Sequence, residues 1–239
     1  MDASPSLVVF DVVGTLFSLD RVEEVLSEHG CPDGSLELWF ARLLHAAFAS
    51  TLAGRYAPYR EVGASTLRQV ADLWGFDASV VPGALAAMSE MEARPEAEAC
   101  LEELAASGRR LVAITNGGPG TLAELMERSG LGRFFEALRS ADSIGRCKPH
   151  PAPYRAILEQ AALEPAEACM VAAHGWDILG ADAVGMDTVY VCSLEGRWPL
   201  LGEPPGQAVP SLAEVPQAVE APASASGPAA SSSRSSQNG

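Results

Sequence analysis

Lysine occurs once in these 239 residues, at position 148, and every other strongly basic side chain is arginine. A generic surface cation in this chain is an arginine, so the single ammonium group calls for a specific role. Cysteine shows no framework. Cys31, Cys100, Cys147, Cys169 and Cys192 are odd in number, widely spaced and without a CxxC pair, which excludes a disulfide scaffold and a cysteine zinc site. Cys100, Cys169 and Cys192 lie in apolar stretches and read as core, while Cys147 adjoins the lysine, where its thiol would report on an occupied pocket. No apolar run is long enough to span a bilayer. The opening MDASPS has neither a basic region nor an apolar signal core, so a cytoplasmic location is the expectation. Positive charge is scarce overall. A formal net charge of −15 and a pI near 4.6 argue against nucleic acid and an anionic membrane as partners. They leave open a small-molecule substrate, even an anionic one, which feels the field of its own pocket. No internal repeat is present.

What the chain does have begins at Leu7–Leu16, LVVFDVVGTL. Leu7 to Phe10 read as a buried strand. Asp11 follows at its carboxyl end, where open α/β sheets bind ligands. Gly14 permits an unusual turn and Thr15 supplies a hydroxyl. A carboxylate so placed can act as a nucleophile through an ester that water later cleaves; alternatively it caps a turn.

Helical periodicity follows over Arg21–His29, through Leu36, Trp39, Phe40, Leu43, Leu44, Ala47 and Phe48, over Tyr59–Trp74 and over Val81–Met91. No strand is evident from Phe17 to Arg94, so a helical insertion is expected. An alternation then resumes: helix Glu96–Ser107, strand Arg110–Thr115, helix Thr121–Ser129 stopped by Gly130, helix Pro151–Ala162, strand Ala168–Ala173, helix Trp176–Val184, strand Thr188–Cys192 and a last short helix over Pro210–Val219. Strands alternating with helices predict a doubly wound parallel sheet. The Ala/Ser/Pro/Gly-rich stretch 221–239 has little to bury and is expected to be disordered.

Three further clusters carry chemistry. Thr115-Asn116-Gly117 ends a predicted strand, where a hydroxyl and an amide beside backbone N–H groups can hold a substrate anion; an Asn-Gly turn is the plainer reading. Lys148, a compact charge, could sit beside Asp11, keep it ionised and neutralise a substrate. Ala172-Ala173-His174-Gly175-Trp176-Asp177 follows another strand and offers His174 as a ligand, a base or a pocket wall.

In this order and spacing, Asp11-x-x-Gly14-Thr15, Thr115-Asn116, Lys148-Pro149 and Asp177 resemble the four motifs of the haloacid dehalogenase-like (HAD) superfamily of hydrolases. The resemblance implies an α/β, Rossmann-like core over 1–17 and 93–220 with an inserted helical cap domain over 18–92. It implies Asp11 as nucleophile, Lys148 and Asp177 as catalytic partners, and Thr15, Thr115, Asn116 and His174 as substrate-binding, with Phe40 of the cap also expected to bind substrate. Tyr154, six residues after the lysine, sits where the L-2-haloacid dehalogenase branch carries a catalytic-site tyrosine. Superfamily phosphatases carry a second Asp two residues after the nucleophile as general acid-base. Val13 stands there and cannot transfer a proton, whereas a departing halide needs none. Those phosphatases also hold magnesium with an earlier acid in the fourth motif, where this chain has Ala172 and Ala173. Metal-independent, dehalogenase-like hydrolysis without a cofactor is the expectation. The alternatives are a Mg2+-dependent phosphatase binding its metal through Asp11 and Asp177, and a non-catalytic relative that binds a small ligand. One departure concerns the cap. The dehalogenase branch has an arginine after a Leu-Trp pair, and here Leu38-Trp39 is followed by Phe40, which points to a different or bulkier substrate. Arg42 lies roughly 200° around the helix from Phe40; Arg55 and Arg60 are the other candidates. The apolar cap faces are compatible with a homodimer.

Overall fold

The structure, a computed structural model, describes residues 4–221. Beyond Ala221, the tail expected over 221–239 lies outside the described residues. The order of elements is β1 (Leu7–Asp11), α1 (Asp20–Glu28), α2 (Ser35–Leu52), α3 (Tyr59–Trp74), α4 (Val81–Ala87), α5 (Ala97–Ala106), β2 (Arg110–Thr115), α6 (Pro119–Ser129), β3 (Ala137–Ser140), α7 (Pro151–Ala161), β4 (Ala168–Ala172), α8 (Gly175–Asp182), β5 (Asp187–Val191), β6 (Gln207–Val209) and α9 (Val215–Glu220). Short 3-10 turns join several of them.

The six strands form one sheet in the order β3-β2-β1-β4-β5-β6, and every neighbouring pair is parallel. The first three strands run outward on one side of β1. The chain then crosses to the other side with β4, so the topological switch falls beside β1, where the strand ends open into a crevice. All five residues of β1 are buried, as a run lacking polar alternation requires of a central parallel strand. Val8 and Phe10 face one helical layer together with Leu101, Leu104, Leu122 and Val215. Leu7 and Val9 face the other with Tyr154, Ile157 and Ile178. Each large side chain so buried contributes about 1.5–3 kcal/mol. The sheet lies between α5, α6 and α9 on one face and α7 and α8 on the other.

Helices α1–α4 occupy the stretch between β1 and α5. The chain leaves and re-enters the sheet region along adjacent segments: Phe17 bridges Ala93, Ser18 N–H donates to Glu92 O at 2.9 Å, and Arg94 N–H donates to Leu16 O at 2.8 Å. Trp39 of α2, fully enclosed, donates Nε1–H to Gly63 O of α3 at 2.9 Å and pins the two helices. Asp142 ties these helices to the end of β3, accepting from the Tyr56 hydroxyl and, at 2.9 Å, from the Tyr59 N–H.

Two strands were not foreseen from sequence. β3 and β6 are the two edges, four and three residues long, and β3 carries Arg139 in its middle. Short edges show no clean apolar pattern. The helix expected over Val81–Met91 stops at Ala87, and the one expected over Pro210–Val219 begins at Val215 after a 3-10 turn. Cys192, expected in the core, is half-buried.

Candidate active site

Asp11 ends β1 at the switch, and only 3% of it is exposed. The chain then turns tightly: the Val12 carbonyl accepts from both Leu16 N–H and Phe17 N–H at 2.9 and 3.0 Å. Gly14 makes the turn with φ +82°, and a Cβ there would also lie 2.7 Å from His174 Nε2. The turn returns Thr15 beneath Asp11, where its hydroxyl donates to Asp11 Oδ2 at 2.8 Å. Thr15 Oγ1 in turn accepts from Ala173 N–H at 2.9 Å. The ends of β1 and β4 are thereby cross-linked.

Lys148 is fully buried. Its ammonium donates to Asp11 Oδ1 at 2.8 Å, to Asp177 Oδ2 at 2.6 Å and to Ile114 O at 3.2 Å, which uses all three of its protons. Burial alone would strip the proton. Asp11 and Asp177 more than offset that, and the group is held charged above the ordinary lysine range. Asp177, on the first turn of α8, is likewise fully buried. Burial pushes its acidity weaker than an ordinary carboxyl and Asp11 adds to this, with Lys148 acting in the opposite direction. The Tyr154 hydroxyl donates to Asp177 Oδ1 at 2.5 Å. Burial and then Asp177 hold that phenol protonated, far above its usual range. α8 reaches Tyr154 only because position 180 is glycine: a Cβ there would lie 2.6 Å from Tyr154 Oη and 2.7 Å from Pro149 Cβ.

The Thr115–Asn116 pair serves as a brace for this group. Asn116 Oδ1 accepts from Lys148 N–H at 2.7 Å, and Asn116 Nδ2 donates to Lys148 O at 3.2 Å. The two contacts fix the main chain that carries the ammonium. Thr115 Oγ1 accepts from Gly117 N–H at 3.1 Å and closes the Asn-Gly turn. These side-chain contacts are made to the protein, and one hydrogen of the Asn116 amide remains for another acceptor.

His174, also buried, covers Asp11 from the other side. Its Nε2 lies 3.1 Å from Val13 O and 4.0 Å from Asp11 Oδ2, and its Nδ1 lies 3.7 Å from Glu195 Oε1. The ring stacks on Trp176 with centroids 5.2 Å apart and packs on Phe40 at 5.7 Å. Trp176 Nε1 is a buried donor with no hydrogen-bond partner, and its ring centroid is 5.7 Å from the Lys148 ammonium. Phe48 meets Trp176 edge-on. Phe40, Phe48 and Trp176 form an apolar wall between α2 and the strand ends. Glu195 was not singled out from sequence. It sits in the loop after β5 and accepts from Gly175 N–H at 3.0 Å and from the Tyr190 hydroxyl at 2.9 Å. Nothing in the local pattern around Ser193-Leu194-Glu195 marks it; only the fold brings it to His174.

Arg42, Arg55 and Arg60 do not fill the place of Phe40. Arg42 donates to Gln69 on α3 and Arg60 to Leu85 O, and Arg55 is exposed. Among the described residues, the basic side chains within 4.0 Å of Asp11 are Lys148 and, if its ring is protonated, His174. Cys147 departs from expectation as well. It is 1% exposed, its N–H donates to Thr51 Oγ1, and burial pushes its thiol up to about 11, so it is no accessible reporter. Among the described residues, no group of three or more His, Cys, Asp or Glu could hold a metal ion. The pair Asp11 and Asp177 shares Lys148, and Ala172 and Ala173 contribute no further side-chain carboxylate for magnesium. No helix among the described residues is long and apolar enough to cross a membrane.

Comparison with known proteins gives a consistent picture. A family model described as haloacid dehalogenase-like hydrolase matches residues 5–185. An (S)-2-haloacid dehalogenase of Xanthobacter autotrophicus is 31% identical over 192 residues, which span 78% of this chain and 75% of that protein. (S)-2-haloacid dehalogenase 1 of Pseudomonas sp. (strain CBS-3) is 29% identical over 187 residues, 77% of this chain and 82% of that one. Among solved structures, that of L-2-haloacid dehalogenase from Xanthobacter autotrophicus with chloropropionic acid covalently bound superposes with a TM-score of 0.79 at 27% identity. It covers 90% of this chain and 98% of its own.

Proposed function

Since the chain belongs to the haloacid dehalogenase-like hydrolases, we propose that it hydrolyses the carbon–halogen bond of a small (S)-2-haloacid through an ester on Asp11. One observation carries the reading: a buried carboxylate at the switch point holds one donor on each oxygen, Lys148 on Oδ1 and Thr15 on Oδ2. That arrangement fixes the carboxylate through protein donors, and it leaves lone pairs for attack.

In the first step an Asp11 oxygen attacks the halogen-bearing carbon, a C–O bond forms, and the halide leaves with the electron pair of the broken bond. In the second, water adds to the Asp11 carbonyl carbon and the ester opens to the hydroxy acid. The sum consumes one water and releases one halide and one proton. Lys148 stays paired with Asp177 throughout and so keeps a positive charge at the reacting carboxyl. Tyr154 fixes Asp177, Asn116 and Thr115 fix the Lys148 main chain and the turn beside it, and the unpartnered Trp176 Nε1–H is a donor for the departing halide. The apolar wall of Phe40, Phe48 and Trp176 lowers the local polarity, which strengthens these interactions. Val13 has no proton to give an alkoxide leaving group, and the relatives above are named dehalogenases, so carbon–halogen cleavage is favoured over phosphoester cleavage.

Halide release from (S)-2-chloropropionate tests the proposal. Asp11→Asn is expected to lower the rate by about 1,000-fold or more in a protein that still folds, as circular dichroism would show. In the unsubstituted protein, quenching in mid-turnover should trap an Asp11 adduct visible by peptide mass spectrometry. An Asp11→Asn protein that keeps most of its rate would overturn the mechanism.

A further inference from the structure

His174 poses a problem of charge. Three carboxylates, Asp11, Asp177 and Glu195, meet in this pocket, and Lys148 alone balances two of them. An anionic substrate entering there adds a further negative charge, and Phe40 occupies the place where an arginine could have met it. Both ring nitrogens of His174 face acceptors. Nε2 is 3.1 Å from the Val13 carbonyl, which can only accept, so Nε2 carries a proton. Nδ1 points to Glu195 Oε1 at 3.7 Å; a bare lone pair there would face a carboxylate. The ring faces Trp176 and Phe40 within 6 Å, at 5.2 and 5.7 Å, a distance at which aromatic faces favour a cation. With Nε2 committed as a donor, His174 has no lone pair turned toward Asp11 and is not placed to activate a water.

We propose that His174 is an imidazolium, held by Glu195 and the Val13 carbonyl, and that it supplies the positive charge drawing an anionic substrate to Asp11 in a pocket whose α2 wall has phenylalanine instead of arginine. This deepens the haloacid reading and rests on it. The titratable groups facing the ring are Asp11 from β1, Glu195 from the loop after β5 with Tyr190 behind it, and Asp177 from α8 with its partner Lys148. α2 presents Phe40. Burial works against the charge, and Glu195, Asp11 and Asp177 outweigh it, leaving His174 above the ordinary histidine range and Glu195 below the ordinary glutamate range. Substrate capture therefore persists below the usual histidine midpoint and fades as pH rises through the elevated one.

The chain has four histidines, so nitrogen-detected ring NMR on the whole protein can assign His174. At pH 7 both its ring nitrogens should carry protons. Propionate, which has the carboxylate but no leaving group, should raise its titration midpoint. His174→Gln should weaken propionate binding on the order of 30-fold or more while leaving neutral propionamide unmoved. Glu195→Gln, which alters the Nδ1 side of the ring while Asp11 lies on the Nε2 side, should lower the His174 midpoint and weaken propionate in parallel; that variant decides the matter if His174→Gln does not fold. A singly protonated ring at pH 7, or His174→Gln binding propionate as tightly as the parent, would overturn the inference. Because propionate cannot react, the outcome is separate from turnover. Propionate selectivity through His174 without halide release would remove the dehalogenase reading alone, and halide release with a neutral ring would remove this inference alone.

Discussion

Replacing Lys148 by methionine isolates the electrostatics of the site. Methionine fills much of the aliphatic stem and removes the ammonium. Two carboxylates, 3% and 0% exposed, then lose a donor at 2.8 and 2.6 Å, and the Ile114 carbonyl loses one at 3.2 Å. Breaking a buried ion pair from one side costs about 3–5 kcal/mol, since the orphaned charge stays desolvated. For a protein of this size a loss of that order lowers Tm by roughly 6–20 °C. The pH dependence supplies a sharper check. In the parent, burial and Asp11 already hold Asp177 above the ordinary carboxyl range while Lys148 opposes them. Without Lys148 the folded-state value rises further. A carboxyl with a raised folded value destabilises the fold above that value and regains stability as pH falls through it toward the unfolded value, near 3.8. The gap in Tm between parent and Lys148→Met should therefore be widest at pH 7 to 8 and should shrink on acidification toward pH 4. Differential scanning calorimetry across that range measures both quantities. A variant within about 2 °C of the parent at pH 7.5, or a gap that grows on acidification, refutes the account of Lys148 as the partner of two buried charges.

Three smaller perturbations probe its surroundings. Tyr154→Phe removes the donor to Asp177 Oδ1 and should cost about 1–3 kcal/mol of stability in urea unfolding. It also removes a contact that holds the Asp177 value down, so the acid limb of the rate profile should move to higher pH; an unmoved limb would separate Tyr154 from Asp177. Gly180→Ala puts a Cβ 2.6 Å from Tyr154 Oη and 2.9 Å from Pro149 Cα, and it should destabilise by about 1–3 kcal/mol and slow turnover, with both effects relieved in Gly180→Ala/Tyr154→Phe if the clash is at the hydroxyl. Cys147 should resist thiol reagents at pH 8 with or without ligand, because it is buried and its thiol is pushed up to about 11, whereas half-buried Cys31 and Cys192 should react before it; rapid labelling of Cys147 in the native protein would contradict the closed packing at Thr51.

The central layer of the fold was readable because its signals are local. β1, β2 and β4 are short apolar runs bounded by turn residues, and buried parallel strands have no need of polar alternation. α3 begins at Tyr59 and ends at Trp74, as its spacing predicts. What escaped was structure made by partners. β3 and β6 are strands because β2 and β5 offer them unpaired edges, and nothing in ALRS or QAV announces that. The same division holds in the site. Asp11, Thr15, Lys148 and Asp177 each sit in a motif next to a strand or helix end, and the sheet topology brings those ends to one crevice.

Glu195 shows where such reading stops and why. It reaches His174 through two steric facts that are invisible in one dimension. Gly175 leaves room for the loop after β5, since a Cβ there would lie 2.7 Å from Pro199, and Gly175 N–H, the amide next to His174, binds the Glu195 carboxylate. Gly14 leaves room on the opposite side, where a Cβ would strike the imidazole itself. The position of His174 is set by what two glycines omit and by a carboxylate from a segment with no motif. A motif scan registers Gly14 as part of the nucleophile turn and Gly175 as the start of a helix, and both descriptions are correct. Neither reveals that the first gap faces the imidazole and the second admits the loop that carries its carboxylate partner. Such a constraint becomes visible once β1, β4 and β5 are laid side by side, because only then do the segments that follow each strand share a boundary.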